Sequence, residues 1–211
     1  GSFRDFARDA ASVATGLVAV ELGLASAQTA FTRIKEAVQL SGELEQTRLA
    51  FEVMLRSAEK ANALVADMRR YAASTPFGLS EITASTRMLT AYGVAADQLM
   101  PTIRMLGDVS AAFGKELPIR DLTYLYGTLY AQQRAYAIDI RQFAGRGIPI
   151  YEELAKVLGK TNAEVKQMIE DGRVSSREVT QAFLNMTAAG GRFYGLTERQ
   201  GKTFLGQWEQ M

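Results

Sequence analysis

The groups able to do chemistry in this chain are few, and their spacing serves chemistry poorly. Among its 211 residues there is no histidine and no cysteine. That removes the commonest general base, the commonest transition-metal ligand, and every Ser-His or Cys-His nucleophile pair. It also removes a disulfide framework. Carboxylates, lysines, tyrosines and hydroxyls remain. The candidate acid–base carboxylates are Glu152 with Glu153, and Glu43 with Glu45. Adjacent helical positions point about 100° apart, so Glu152 and Glu153 do not converge on one reacting atom. Both pairs are expected to be solvated helix charges. Gly145-Arg146-Gly147 has the glycines of a phosphate-cradling loop. It lacks the preceding strand, the complete GxGxxG run and a following Lys-Ser/Thr. A sharp inter-helix turn stapled by Ile148 and Ile150 is the expectation. No catalytic residue, cofactor or metal is expected.

Nucleic-acid chemistry has two candidates. Ile150 to Asp171 has the form of a helix-turn-helix, whose second helix would enter a groove. From Lys156 to Glu178, however, Lys156, Lys160, Lys166, Arg173 and Arg177 face Glu164, Glu170, Asp171 and Glu178, a net charge of +1. That is a weak phosphate footprint, and the same geometry is a common packing device. A DNA-binding regulator is therefore the alternative reading, and no nucleic acid is expected as a partner. Tyr124, Tyr126, Tyr130 and Tyr136 lack interleaved basic residues in the first half of the stretch. They read as core and interface aromatics rather than a base-stacking platform. The whole chain carries +1, which favours neither nucleic acid nor an acidic membrane surface.

The elements that position these residues are helical. Only four prolines interrupt the chain, and Ala, Leu, Glu, Gln, Arg and Met are plentiful, a helix-forming composition. No stretch alternates with period two. The pattern predicts a helix from about Glu43 to Arg56, with Leu44, Phe51 and Leu55 on one face. Ser57 then caps a helix bearing Ala61, Leu64, Val65 and Met68. Further helices open at Ser80-Glu81, near Asp97 and after Pro118. Thr161 to Glu164 and Ser175 to Glu178 are capping boxes. A last helix starts near Leu196. Glycines at 93, 114, 159, 172 and 190–191 end or separate these elements. The methionines Met88, Met100, Met105, Met168 and Met186 are expected to fill the core. The sum is an all-α domain of eight or nine helices, with a small extended pairing expected near Pro76 or Val174.

The first forty residues obey a different rule. Phe3, Phe6, Ala10, Val13, Leu17, Val20, Leu24, Ala27, Phe31, Ile34 and Val38 step by three and four throughout. That is a heptad seam, and it predicts a coiled-coil-like helix roughly 55 Å long. The positions beside the seam are mostly Ala and Gly, which permits close backbone approach in a bundle of more than two helices. A homotrimer or homohexamer is expected. Glu21 and Gln28 interrupt the apolar stretch from Val13 to Ala30, so no stable membrane span is expected. No signal peptide is visible in Gly1-Ser2-Phe3-Arg4-Asp5. Ser41-Gly42 breaks the heptads, giving an expected division into a long oligomerising helix at 1–42 and a compact helical domain at 43–211. The chain reads as a piece of a longer one.

From Leu44 onward, the order of short motifs resembles the tape measure domain found near the N-terminus of many phage and prophage tail proteins. The matching runs are Ala50 to Ala58, Ser74-Thr75-Pro76-Phe77 and Leu106-Gly107-Asp108-Val109. Ile140 to Tyr151 comes next, containing Gly145, Gly147, Ile148, Pro149 and Ile150. Met186 to Phe193, containing Gly190 and Gly191, and Gln200-Gly201-Lys202-Thr203 complete the set. Thr197 and Gly201 stand where the family pattern suggests a Met and a Ser.

The resemblance implies a structural protein, not an enzyme, made in the host cytoplasm and packed inside the growing tail tube, where its length sets tail length. The partners it implies are the tail tube protein, tail assembly chaperones and the tail tip or baseplate hub proteins. A parallel helical seam suits copies aligned along a tube of three- or six-fold symmetry, and a helix gives the fixed rise per residue that a ruler requires.

Overall fold

The computed structural model describes residues 42–208, with side chains to residue 203. The seam from Phe3 to Val38, and the Trp208 side chain, lie outside the described residues. Gly42, the first described residue, is helical. Contacts divide the chain between Thr47 and Arg48, and the larger unit is the body from Arg48 onward.

The body is helical throughout. Its elements are α1 (described over 42–55), α2 (Ala58–Ala73), α3 (Leu79–Ala91), α4 (Ala96–Phe113), α5 (Ile119–Gln132), α6 (Ala137–Gly145), α7 (Ile150–Leu158), α8 (Asn162–Glu170), α9 (Ser176–Thr187) and α10 (Leu196–Trp208). The described residues thus hold one helix more than the upper expected number. The extra boundary falls at Gln133, which takes a left-handed conformation with φ 58° and separates α5 from α6. No glycine or proline marks that turn in the sequence. A single antiparallel bridge pairs Arg134 with Ser175, and the Ala135 amide donates to the Val174 carbonyl at 2.9 Å. This is the extended pairing expected near Val174.

Most helix starts are set by their local chemistry. The Ser57 hydroxyl accepts from the Lys60 amide, and both Thr161–Glu164 and Ser175–Glu178 close as reciprocal boxes, each satisfying amides that a helix start leaves open. At α3 the cap is Gly78 rather than Ser80. The Gly78 amide donates to the Glu81 carboxylate at 3.2 Å, so the glutamate does the capping that no side chain at position 78 could.

α4 organises the core. It packs against α2, α3, α5, α9 and α10 and buries Leu99, Met100, Ile103, Met105, Leu106 and Val109. Pro101 sits inside this helix with its ring exposed, where the missing hydrogen bond lies on the solvent side. α3 packs on α5, and α7 packs on α8 and α9. Phe183 of α9 meets Tyr126 and Phe143 edge-on, with ring centroids 5.7 and 5.2 Å away. Of the five methionines assigned to the core, Met100, Met105 and Met186 are buried, and Met88 and Met168 are half-buried. No helix among the described residues is long and apolar enough to cross a membrane.

Candidate functional site

The groups singled out for chemistry are separated or occupied. Glu152 is exposed and pairs with Arg192 at 3.3 Å. Glu153 is not the solvated charge its sequence context suggested. It is only 5% exposed, and its Oε1 lies 2.6 Å from the Lys156 ammonium. The i,i+3 lysine supplies the charge that lets this carboxylate be buried. Glu43 and Glu45 are exposed. Gly147 makes the sharp turn, with φ 85°, and Ile148 and Ile150 on either side of Pro149 are buried in the core. Gly145 ends α6 with open space around it. No group of three or more acidic side chains among the described residues could hold a metal ion.

The helix-turn-helix exists as α7, the left-handed Gly159 and α8. Its second helix turns Val165 and Ile169 into the core. The charged side chains it exposes are Glu164, Lys166 and Glu170, a net charge of −1 on the face that would meet phosphates. That sign opposes DNA binding. The tyrosines divide in two. Tyr126 is buried, stacks on Tyr130 at 6.1 Å and bonds the Thr180 hydroxyl at 2.9 Å. Tyr124 and Tyr136 are exposed, and Tyr136 lies under the Arg134 guanidinium.

The residues that do come together are those of the motif set. Thr75 is buried at the end of α2, its hydroxyl donating to the Tyr71 carbonyl at 2.8 Å. Phe77, just past Pro76, reaches Gly107 of α4. A Cβ on Gly107 would stand 3.2 Å from the Phe77 ring and 2.1 Å from the Tyr71 hydroxyl oxygen. Position 107 therefore requires a glycine for close approach. Asp108 points the other way, to the start of α10. It accepts from the Gly195 amide at 3.1 Å, the Thr197 amide at 3.0 Å and the Thr197 hydroxyl at 2.6 Å. Farther along α4, Phe113 packs edge-on to Phe193 at 5.8 Å and covers Gly147. The Gly190-Gly191 turn lets the Phe193 amide return to the Met186 carbonyl at 2.8 Å. Motifs up to about 120 residues apart thus line the C-terminal half of one helix.

The two departures from the family pattern fall in the same place. Thr197 supplies two of the three donors to Asp108. Gly201 lies flush on the end of α2, where a Cβ would stand 2.1 Å from the Ser74 carbonyl oxygen. A serine there would collide with backbone, so glycine fits this chain's packing. Sequence reading missed Tyr71, the centre of the cluster. Burial raises its hydroxyl well above the ordinary tyrosine pKa, the Thr197 hydroxyl opposes this, and the Asp108 charge adds to it. The hydroxyl faces the Thr197 hydroxyl but makes no hydrogen bond of ordinary geometry, and the Arg104 guanidinium lies 4.9 Å over its ring.

Two comparisons bear on what this body is. The family model described as "Tape measure protein" matches residues 35–211. The chain belongs to the tape measure protein family. A relative in Escherichia phage Mu, "Probable tape measure protein", is 25% identical over 173 residues, which is 81% of this chain and 25% of the relative. The chain spans about a quarter of the length of that relative. No solved structure matches. The tape measure match takes in α2 to α10 entirely, and with them every residue of the α4 cluster.

Proposed function

We propose that this chain is the docking and initiation body of a phage tail tape measure protein, with a self-associating N-terminal segment. The observation that carries the reading is the tape measure match over 35–211 on a body of short helices and short turns. A ruler needs a uniform extended element with a fixed rise per residue, and a compact bundle with its own core is unsuited to that. The length-setting part then belongs elsewhere in the longer protein, and the body acts at one end of the tail. Tail tip or baseplate hub proteins, the tube protein and assembly chaperones are the proposed partners, with assembly in the host cytoplasm and residence in the virion tail. The heptads from Phe3 to Val38 supply self-association as a trimer or hexamer.

Deleting 43–211 from the full-length protein in a phage tests the docking role. Blocked assembly or scattered tail lengths in electron micrographs are expected. Otherwise normal tails shortened in proportion to the residues removed would refute it. A solution mass with and without residues 3–40 tests the seam: the intact chain is expected as a trimer or hexamer, the truncated one as a monomer.

A further inference from the structure

We infer that α1 carries an interface of its own: its Leu49–Val53 face is covered by the same face of further copies of this chain, parallel and in register. The inference rests on the self-associating N-terminal segment proposed above and extends it into the folded body.

α1 is apolar on two sides. Phe51 is fully buried, and Leu55 packs partly buried against the core. Leu49 and Val53 each stand two residues before one of these. Two residues turn a helix by about 200°, so the second pair lies on the opposite side. Val53 is 78% exposed and Leu49 47%. A surface helix of a monomer has one apolar stripe and turns polar residues outward. Here the outward stripe is Gly42, Gln46, Leu49, Val53 and Arg56, all exposed, in steps of four, three, four and three residues. That is the spacing of a seam between helices.

The sequence before α1 says what covers this stripe. The heptad series ends at Val38, and Leu49 follows it by eleven residues. Eleven residues make three helical turns, so a four-residue insertion into a heptad series keeps the seam on one side. Leu49 is in phase with the series; Phe51 and Leu55 are not. An unrelated partner has no reason to share that phase, and a further copy does. α10 does not reach the stripe. Gly201 rests against Ser74, at the far end of α2, and the sixteen residues of α2 span roughly 24 Å. From Gly201 to the end of α10 at Trp208 the helix advances only roughly 10 Å.

The stripe ends at a hollow. Arg56 closes α1 with φ 52°, and Leu49, Glu52, Val53, Arg56, Ser57 and Ala58 line an open space of about 460 Å³. It has room for the side chains of a neighbouring copy. Two apolar side chains per copy hold little alone. Joined N-terminal segments bring them together at high effective concentration, and the pair then sets the bodies with their α1 helices toward one another.

The chain has no cysteine, so one placed at position 53 reports on sister copies alone. Val53→Cys in the 211-residue chain, treated with a short bismaleimide, is expected to give covalently linked copies wherever the chain is oligomeric. Ile138→Cys, at an exposed position of α6, is expected to give none. Val53→Asp places an unpaired carboxylate in the interface. It is expected to raise the concentration at which the oligomer half-dissociates by at least about tenfold, read by mass photometry, with helix content unchanged; Ile138→Asp is expected to leave it where it was. An oligomer that neither links at position 53 nor dissociates more readily with Val53→Asp would overturn the inference and leave the N-terminal seam standing. A monomeric unaltered chain would overturn both. If Val53→Asp fails to fold, linking at 53 against 138 decides.

Discussion

The contact between Gly107 and Tyr71 gives the sharpest test of how this body is packed. A methyl group at position 107 would stand 2.1 Å from the tyrosine hydroxyl oxygen, 3.3 Å from the ring carbon bearing it and 3.2 Å from the Phe77 ring. The Tyr71 side chain has no free direction, being only 2% exposed. Overpacking of this kind costs about 1–3 kcal/mol. Alanine in a helix interior returns about 1 kcal/mol over glycine. Gly107→Ala should therefore destabilise by up to about 2 kcal/mol, or by up to about 8 °C in Tm for a domain of this size. Tyr71→Phe removes the oxygen that clashes, and that oxygen makes no hydrogen bond of ordinary geometry; alone it should be neutral or stabilising by about 1 kcal/mol. In the double variant the nearest remaining contacts are those at 3.2 and 3.3 Å, which small shifts relieve. Its Tm should equal or exceed that of the unaltered chain. Thermal unfolding monitored by circular dichroism on all four proteins completes the cycle. Coupling of at least about 1 kcal/mol is expected. Additivity to within about 0.5 kcal/mol would mean that the hydroxyl is not what excludes a side chain at 107, and a loss in Tyr71→Phe alone would mean that it has a partner.

Two further predictions use other parts of the body. Burial alone would raise the Glu178 carboxyl, but the Ser175 hydroxyl and amide outweigh it and hold its pKa below the ordinary value of 4.5. A carboxylate whose pKa falls on folding stabilises above its unfolded pKa and loses that contribution as pH drops through the folded one. The Tm gap between the unaltered chain and Glu178→Gln should be full at neutral pH and close as pH falls through the lowered folded-state pKa. A gap that persists in acid would show that the box acts without the charge. Gly191→Ala should disrupt the turn after α9, because its Cβ would stand 2.4 Å from the Asn185 carbonyl oxygen and 2.5 Å from that of Met186, and backbone cannot yield as a side chain can. Loss of near-ultraviolet aromatic signal around Phe193 with most helix retained is the expected readout.

Local signals were legible in the sequence wherever one residue type has one use. Ser57, Thr161 and Ser175 cap, Gly93 and Gly159 end helices, and the apolar spacing of α2 marks its buried face. Gln133 was not legible, because a glutamine in a left-handed turn is allowed by its surroundings and not by its own propensity. Nor was the burial of Glu153, whose carboxylate is tolerated through an i,i+3 lysine that many exposed helices also carry. Asp108 is marked by the motif Leu106-Gly107-Asp108-Val109, but nothing in that run says what it bonds. Its role appears only when a chain segment almost ninety residues away is laid beside it, and Gly195 reads merely as a turn.

The same distinction bears on what the family likeness transmits. The positions that carry it in this chain are, for the most part, sites of geometric exclusion: Gly107 against Tyr71, Thr75 folded back on its own helix, Ile148 and Ile150 in the core, and Asp108 bonded to the start of α10. Substitution at such sites costs from about 1 to several kcal/mol, a large share of the stability of any domain. Exposed positions move stability by only about 0.5 kcal/mol and are free to diverge. Identity of 25% to the phage Mu relative is compatible with one packing scheme under quite different surfaces. On the proposed docking role, partner contacts are to be sought on exposed apolar side chains such as Ile138 and Tyr124, which are 59% and 55% exposed. Replacing these two with polar residues should leave Tm within about 1 °C while weakening any partner that binds there, the reverse of what Gly107→Ala does.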